Sequence, residues 1–133
     1  MFVDTSGLLC LIDDRQGHHL AAVAHYDAAA RRFTHSGVLL EFVALAHARR
    51  FPRQRTLDFV GALLHEPGVE IVWADEGLHR QGLGLLHARP DKHYSLCDAM
   101  SFTLMRALGV FEALSTDHHF EQEGFRRLLN DTV

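Results

Sequence analysis

Cysteine, lysine and surplus positive charge are all scarce in this chain, and each scarcity removes a class of function. Only two cysteines occur, Cys10 and Cys97, far apart and without a CxxC or a neighbouring Cys/His set at zinc-site spacing. Each therefore reads as a small, reduced, buried hydrophobe. Lysine and arginine total 13 against 17 aspartates and glutamates, a formal charge of −4, which argues against nonspecific coating of nucleic acid but leaves room for a local basic patch. The single lysine, Lys92, has the wrong context for a receiver-type phosphoacceptor domain, which needs an acid pair at one strand end and a lysine after a later strand. No apolar run approaches the length of a membrane span, and Met1-Phe2-Val3-Asp4 has neither the basic flank nor the apolar stretch of a signal peptide. The expected location is the cytoplasm, with no membrane partner.

What is present is a substantial core. Over 133 residues the chain is 47% hydrophobic and 23% charged, the balance of one globular domain spanning 1–133, with no repeat, linker or low-complexity tract. Phe2-Val3 reads as a strand stub running into a helix that carries Leu8, Leu9, Leu11 and Ile12. An alanine-rich helix is expected from Gln16 to Arg32, its closing arginines suited to the negative end of the dipole, and Phe33-Thr34-His35 suggests a second strand. Ser36-Gly37 opens a helix through Arg50. Another follows with Leu57, Val60, Leu63 and Leu64 on one stripe, and the two form a helical hairpin. A third strand covers Val69 to Trp73, and Asp75 caps the next helix up to Arg89-Pro90. Ser95 followed by Asp98 is a capping-box pattern, and the helix it opens is apolar nearly all round, which marks it as central. Val110 to Ser115 reads as a fourth strand, and Phe125 to Leu129 as a last edge strand. Strands alternating with helices predict an α/β fold with a parallel sheet covered on both faces.

Four acids occupy places that ordinary solvation does not call for. Asp4 and Asp117 each follow an apolar strand, and in a parallel sheet the carboxyl ends of strands line one shared crevice. Asp98 begins the central helix, where backbone dipoles favour the ionised form and make it a good ligand for a hard cation. Glu41 is embedded among Val38, Leu39, Leu40, Phe42, Val43 and Leu45. Each has a bland reading taken alone: Asp4 as a helix cap, Asp117 as a turn former, Glu41 as a side chain facing water. Arg49, Arg50, Arg53 and Arg55 cluster around the break between the hairpin helices, with Lys92 and Arg106 elsewhere, and serve equally well as a phosphate-holding patch or a solvated face. The pairs His18-His19 and His118-His119 lack zinc-site spacing and read as surface residues. No Ser-His-acid order surrounds Ser6, so it is not a nucleophile.

Taken in order, VDTS at 3–6, LLEFVALA at 39–46, DKHYSLCDAMSFTLM at 91–105 and STDHHFEQEGFRRL at 115–128 resemble the successive motifs of PIN-domain proteins, most nearly the bacterial VapC-like toxin ribonucleases. The resemblance implies a three-layer α/β/α sandwich with a short, mostly parallel central sheet and a helical hairpin. It places the family's acidic quartet on Asp4, Glu41, Asp98 and Asp117, with supporting polar positions at Ser6, Thr116 and, in the loop before the central helix, Asp91. His118 and His119 stand where a basic residue followed by a histidine is common. The implied cofactor is Mg2+ or Mn2+, held chiefly by Asp4, Asp98 and Asp117, with Glu41 orienting or deprotonating the attacking water. The implied activity is hydrolysis of RNA phosphodiester bonds by a toxin paired with a VapB-like antitoxin, whose C-terminal segment would lie in the acidic crevice. A homodimer is also implied, with Leu8, Leu9 and the helical hairpin as apolar contact candidates. The competing reading is a catalytically silent PIN-like module that binds RNA or protein without cutting; intact acids at all four positions weigh against it.

Overall fold

A computed structural model describes residues 1–131. The described chain runs β1 (Phe2–Val3), α1 (Thr5–Ile12), α2 (His19–Ala28), β2 (Phe33–His35), α3 (Ser36–Ala48), α4 (Arg53–His65), β3 (Glu70–Val72), α5 (Glu76–Ala88), α6 (Leu96–Leu108), β4 (Glu112–Leu114), α7 (His119–Gln122) and β5 (Arg126–Arg127). The five strands form one sheet in the order β3-β2-β1-β4-β5, with every pairing parallel. The chain steps outward from β1 through β2 to β3, then returns to the other side of β1 for β4 and β5. In a parallel sheet that reversal of winding opens a crevice beyond the carboxyl ends of the strands where it occurs, here β1 and β4.

Burial explains why the central strand β1 is apolar throughout and why Phe33 opens β2 beside it. Phe2, Val3 and Phe33 are inaccessible to solvent or nearly so, because helices pack against the sheet. Phe2 meets Phe33 and Phe120 at ring-centroid distances of 5.3 and 6.0 Å, and Phe120 meets Phe102 at 5.0 Å, so aromatic contacts tie β1, β2, α6 and α7 into one core. Helix α6 is the most deeply set, as its apolar circumference predicts, and α5 packs along it. Its capping box forms in both directions. Ser95 Oγ accepts from the Asp98 amide at 3.0 Å, and Asp98 Oδ2 accepts from the Ser95 amide at 3.1 Å. Gly109 ends the helix in the left-handed region at φ 68°.

Several expectations need correction. Helix α2 is shorter than Gln16–Arg32 because Gln16 to His18 turn and Ala29 is extended. Arg32 still serves the helix end from outside, donating to the carbonyls of Tyr26 and Asp27. Leu8 and Leu9 are 1% and 3% exposed, so they belong to the core and are not contact candidates. The exposed apolar face of the hairpin is instead carried by Leu40, Leu57 and Leu64. Arg106 is no spare cation: it donates to Glu123 Oε1 at 3.0 Å, where Arg89 and Tyr94 converge at 3.1 and 2.8 Å on the same carboxylate. Burial pushes the Glu123 carboxyl up, but the hydrogen bonds from Tyr94, Arg89 and Arg106 outweigh it and hold the group below its ordinary range.

One glycine fixes how close α1 comes to the sheet. A Cβ at Gly7 would lie 2.1 Å from the carbonyl oxygen of Leu114, a backbone atom of β4 that cannot step aside. That approach carries the first turn of α1 onto the residues that follow β4. Gly7→Ala is expected to destabilise the protein by about 3 kcal/mol, the upper end of ordinary overpacking. Urea unfolding should show a lower midpoint with an unchanged slope.

Candidate active site

The crevice predicted by the strand order is present as a cleft of about 280 Å3 lined by Asp4, Thr5, Ser6, Glu41, Leu45, Asp98, Thr116 and Asp117. All four acids singled out in the sequence therefore face one space, although they come from four separate segments of chain. Strand register supplies the first two. Val3 pairs with Leu114, so the next residue of each strand, Asp4 and Ser115, stand side by side. Ser115 Oγ donates to Asp4 Oδ2 at 2.9 Å and accepts from the Asp117 amide at 2.9 Å. A hydroxyl has one proton, so with that proton on Asp4, Ser6 is the donor in the 3.1 Å contact between Ser6 Oγ and Ser115 Oγ. Ser6 Oγ in turn accepts from the Thr116 amide at 3.0 Å. Asp4 occupies the N-cap position of α1 without the usual side-chain cap bond, the Thr5 amide being its contact with the helix start.

Glu41 arrives on α3. Its Oε1 accepts from the Thr5 hydroxyl at 2.6 Å, so this carboxylate is turned toward the cleft rather than to open water. The start of α3 is fixed by a buried histidine. His35 Nδ1 accepts from the Gly37 amide at 3.1 Å, which leaves the ring proton on Nε2 to donate to Ser101 Oγ at 2.9 Å, and Ser101 passes its own proton to the Cys97 carbonyl at 2.9 Å. This relay needs a neutral ring, and burial pushes His35 down to about 4. It ties α3, bearing Glu41, to α6, bearing Asp98.

The charge state of the cleft follows from this crowding. Burial, then the neighbouring Asp98 carboxylate, pushes Asp4 up to about 7, with Glu41 adding to the effect against hydrogen bonds from Thr5 and Ser115. Cys97 is half-buried beside the acids and makes a hydrogen bond to Glu41. Burial first, then Glu41, Asp4 and Asp98, raise its thiol far above the ordinary range. The donors that face the cleft are thus carboxylate and hydroxyl oxygens, with one buried carboxylate held near neutrality by its own neighbours. That chemistry fits a hard divalent cation of the Mg2+ or Mn2+ kind, which would relieve the repulsion.

Three placements differ from the sequence reading. His119 is not a surface residue: its side chain is 18% exposed, and its Nδ1 lies 3.1 Å from Asp98 Oδ2 and 3.4 Å from Asp117 Oδ1, bridging two of the acids. Asp91 does not line the cleft; its side chain is exposed and sits 3.8 Å from Lys92. Cys97 is not merely a buried hydrophobe, since it lies at the acidic wall. Ser115, which organises Asp4 and Asp117 together, went unnoticed in the sequence. Its signal was available: it follows β4 at the level at which Asp4 follows β1. Of the arginines, Arg49, Arg50 and Arg53 are exposed at the hairpin break. Arg55 is turned away to donate to the Ile12 carbonyl at 3.2 Å and to stack on Phe51.

The PIN domain family model matches residues 1–125. No curated protein matches the chain. Among solved structures, Mycobacterium tuberculosis VapC20, described as a sarcin–ricin loop cleaving toxin, is similar with a TM-score of 0.85 and 26% sequence identity, over 93% of this chain and 95% of that one.

Two buried groups give stability opposite pH trends over nearly one window. Asp4 titrates at about 7 in the fold against 3.8 for an ordinary aspartate, so between those values the folded state keeps a proton that the unfolded chain releases, and its contribution improves as pH falls. His35 titrates at about 4 against 6.5, so below 6.5 the unfolded chain takes a proton that the fold refuses, and stability is lost as pH falls toward 4. In chelator, Asp4→Asn is expected to be more stable than the parent at pH 8 by a few kcal/mol, one pKa unit being about 1.4 kcal/mol. The parent should hold its stability between pH 7 and 5 while the variant loses it, as urea unfolding at each pH would show.

Proposed function

The chain belongs to the PIN-domain family, and from that premise we propose that it is a metal-dependent endoribonuclease of the VapC toxin type. The observation that carries this reading is the meeting of Asp4, Glu41, Asp98 and Asp117 around one cleft, with Asp4 buried and pushed up to about 7. Asp4, Asp98 and Asp117 would hold the Mg2+ or Mn2+. When bound, such an ion supplies charge neutralisation on the scissile phosphate and lowers the pKa of the attacking water. Glu41, fixed through Oε1 by the Thr5 hydroxyl, orients that water and takes its proton. Ser115 and Ser6 keep Asp4 and the Asp117 backbone in place, and Thr116 joins them through its amide. Arg49, Arg50 and Arg53, exposed beyond the far end of the helix that bears Glu41, contact RNA phosphates.

The partner reading is a VapB-like antitoxin. On the helix that bears Glu41 a largely apolar groove of about 390 Å3 runs along α3 and α4, lined by residues that include Leu39, Leu40, Val43 and Val60. An antitoxin segment laid in this groove would reach the acids with a basic side chain. Homodimerisation and residence in the cytoplasm belong to the same reading.

The test uses purified protein with Mn2+, an unstructured RNA and a sarcin–ricin loop oligonucleotide, the substrate type named for the mycobacterial relative. Cleavage is expected, abolished by EDTA and reduced at least about 100-fold by Glu41→Gln or Asp117→Asn. Asp91→Asn should leave the rate unchanged. Cleavage that survives both substitutions in the quartet, or RNA binding with no cleavage in the parent, would overturn the enzymatic reading.

A further inference from the structure

Among the described residues, the side chains whose potential metal-ligating atoms all lie within 4.8 Å of one another are Asp117, His118 and His119. This group sits at the rim of the cleft and differs from it in chemistry, because two of its three donors are imidazole nitrogens. His119 Nδ1 is 3.4 Å from Asp117 Oδ1, His118 Nδ1 is 3.7 Å from the same oxygen, and His119 Nδ1 is 3.1 Å from Asp98 Oδ2. Zinc bound tetrahedrally at about 2.0–2.1 Å from nitrogen and oxygen needs its donors roughly 3.3 Å apart. The two separations from Asp117 Oδ1, 3.4 and 3.7 Å, lie slightly above that value, so a small inward turn of the rings would close the set on an ion.

We propose that Asp117, His118 and His119 form a second cation site, suited to an imidazole-seeking transition ion such as Zn2+ with water as its fourth ligand, and that occupying it withdraws Asp117 from the hard-cation cleft. Selection between the sites follows from donor type. Imidazole favours Zn2+, Ni2+ or Cu2+ over Mg2+, whereas the cleft offers oxygen to the harder ions. The rim donors also differ in freedom. His119 is fixed, its ring edge-on to Tyr94 at 5.2 Å, with Tyr94 itself held by Glu123 at 2.8 Å. His118 is 65% exposed and has room to turn onto an ion that His119 and Asp117 already hold. Asp117 Oδ1 also accepts from the His119 amide at 2.9 Å, which keeps the oxygen aimed at the rim. The antagonism between the two ions rests on the proposed metal-binding role of the cleft, while the rim site stands on its own donors.

The experiment uses chelator-treated full-length chain. Co2+ serves as the spectroscopic stand-in for Zn2+, and Mn2+ binding is followed separately by electron paramagnetic resonance. Co2+ should give the intense visible bands of a four-coordinate ion, which Zn2+ removes and excess Mg2+ does not. His118→Ala should lose those bands and weaken Zn2+ at least about tenfold, while its Mn2+ affinity stays within about twofold of the parent. Zn2+ should release Mn2+ from the parent. A pale six-coordinate Co2+ spectrum, or equal Zn2+ affinity in parent and His118→Ala, would overturn the rim site. A His118-dependent Zn2+ site in a protein that binds no Mn2+ would support the rim site and overturn the antagonism and the metal-binding role of the cleft.

Discussion

Parallel strands deliver their carboxyl ends to one edge, and in this chain the side chains that arrive there are acids. Asp4 follows β1 and Asp117 follows β4 by three residues, while α3 and α6 bring Glu41 and Asp98 to the same place. Burial and like charge both oppose this arrangement, and Asp4 bears that opposition, pushed up to about 7. The rest of the architecture can be understood as what holds the acids together despite that cost. Gly7 lets α1 approach β4 closely enough for the Ser6 and Ser115 hydroxyls to meet, and the His35–Ser101–Cys97 relay joins the two helices that carry Glu41 and Asp98.

Each of the four carboxylates has hydrogen-bond donors of its own. Asp98 accepts from the Ser95 amide, Asp117 from the His119 amide, and Glu41 from the Thr5 hydroxyl. Asp4 has the Thr5 amide and the Ser115 hydroxyl and lies deepest. Depth rather than any shortage of donors sets Asp4 apart, and on the proposed metal-binding role it is the point at which a cation would gain most, because the relief of a buried charge in a low-dielectric site exceeds that of an exposed one. On the proposed role, stability and function pull on the same residue in opposite directions, a conflict common at sites that must bind charge.

The sequence disclosed the fold and the four acids for different reasons. Element types were legible because periodicity, caps and breaks are local: the Ser95–Asp98 box, the Asp75 cap and the Phe51-Pro52 break all lie within a few residues. The acids were legible because a carboxylate after an apolar strand or within an apolar helix is out of place. What local pattern could not reveal were relations across the chain. Whether Leu8 and Leu9 face outward depends on α2 and α3 covering α1, which no window around residue 8 contains. Arg106 resembled a free cation until its partner appeared seventeen residues later at Glu123. Asp91 shared a motif with Asp98, yet the extended loop between them turns it to solvent.

His119 shows how such a distant relation is built. Its place depends first on α7, whose short turn begins where Asp117 accepts the His119 amide. It depends next on Tyr94, which meets the ring edge-on and comes from the loop before α6. Tyr94 depends on Glu123, and Glu123 on Arg89 and Arg106, so the cluster at the end of α7 indirectly sets the imidazole between Asp98 and Asp117. A buried carboxylate with two guanidinium partners and a phenol is a strong anchor because removing any one partner leaves charge or polarity unmatched. Rigidity at the acidic rim thus originates in a polar knot on the far side of Tyr94, and the cleft's geometry is a property of the packed chain rather than of the motifs that first drew attention to it.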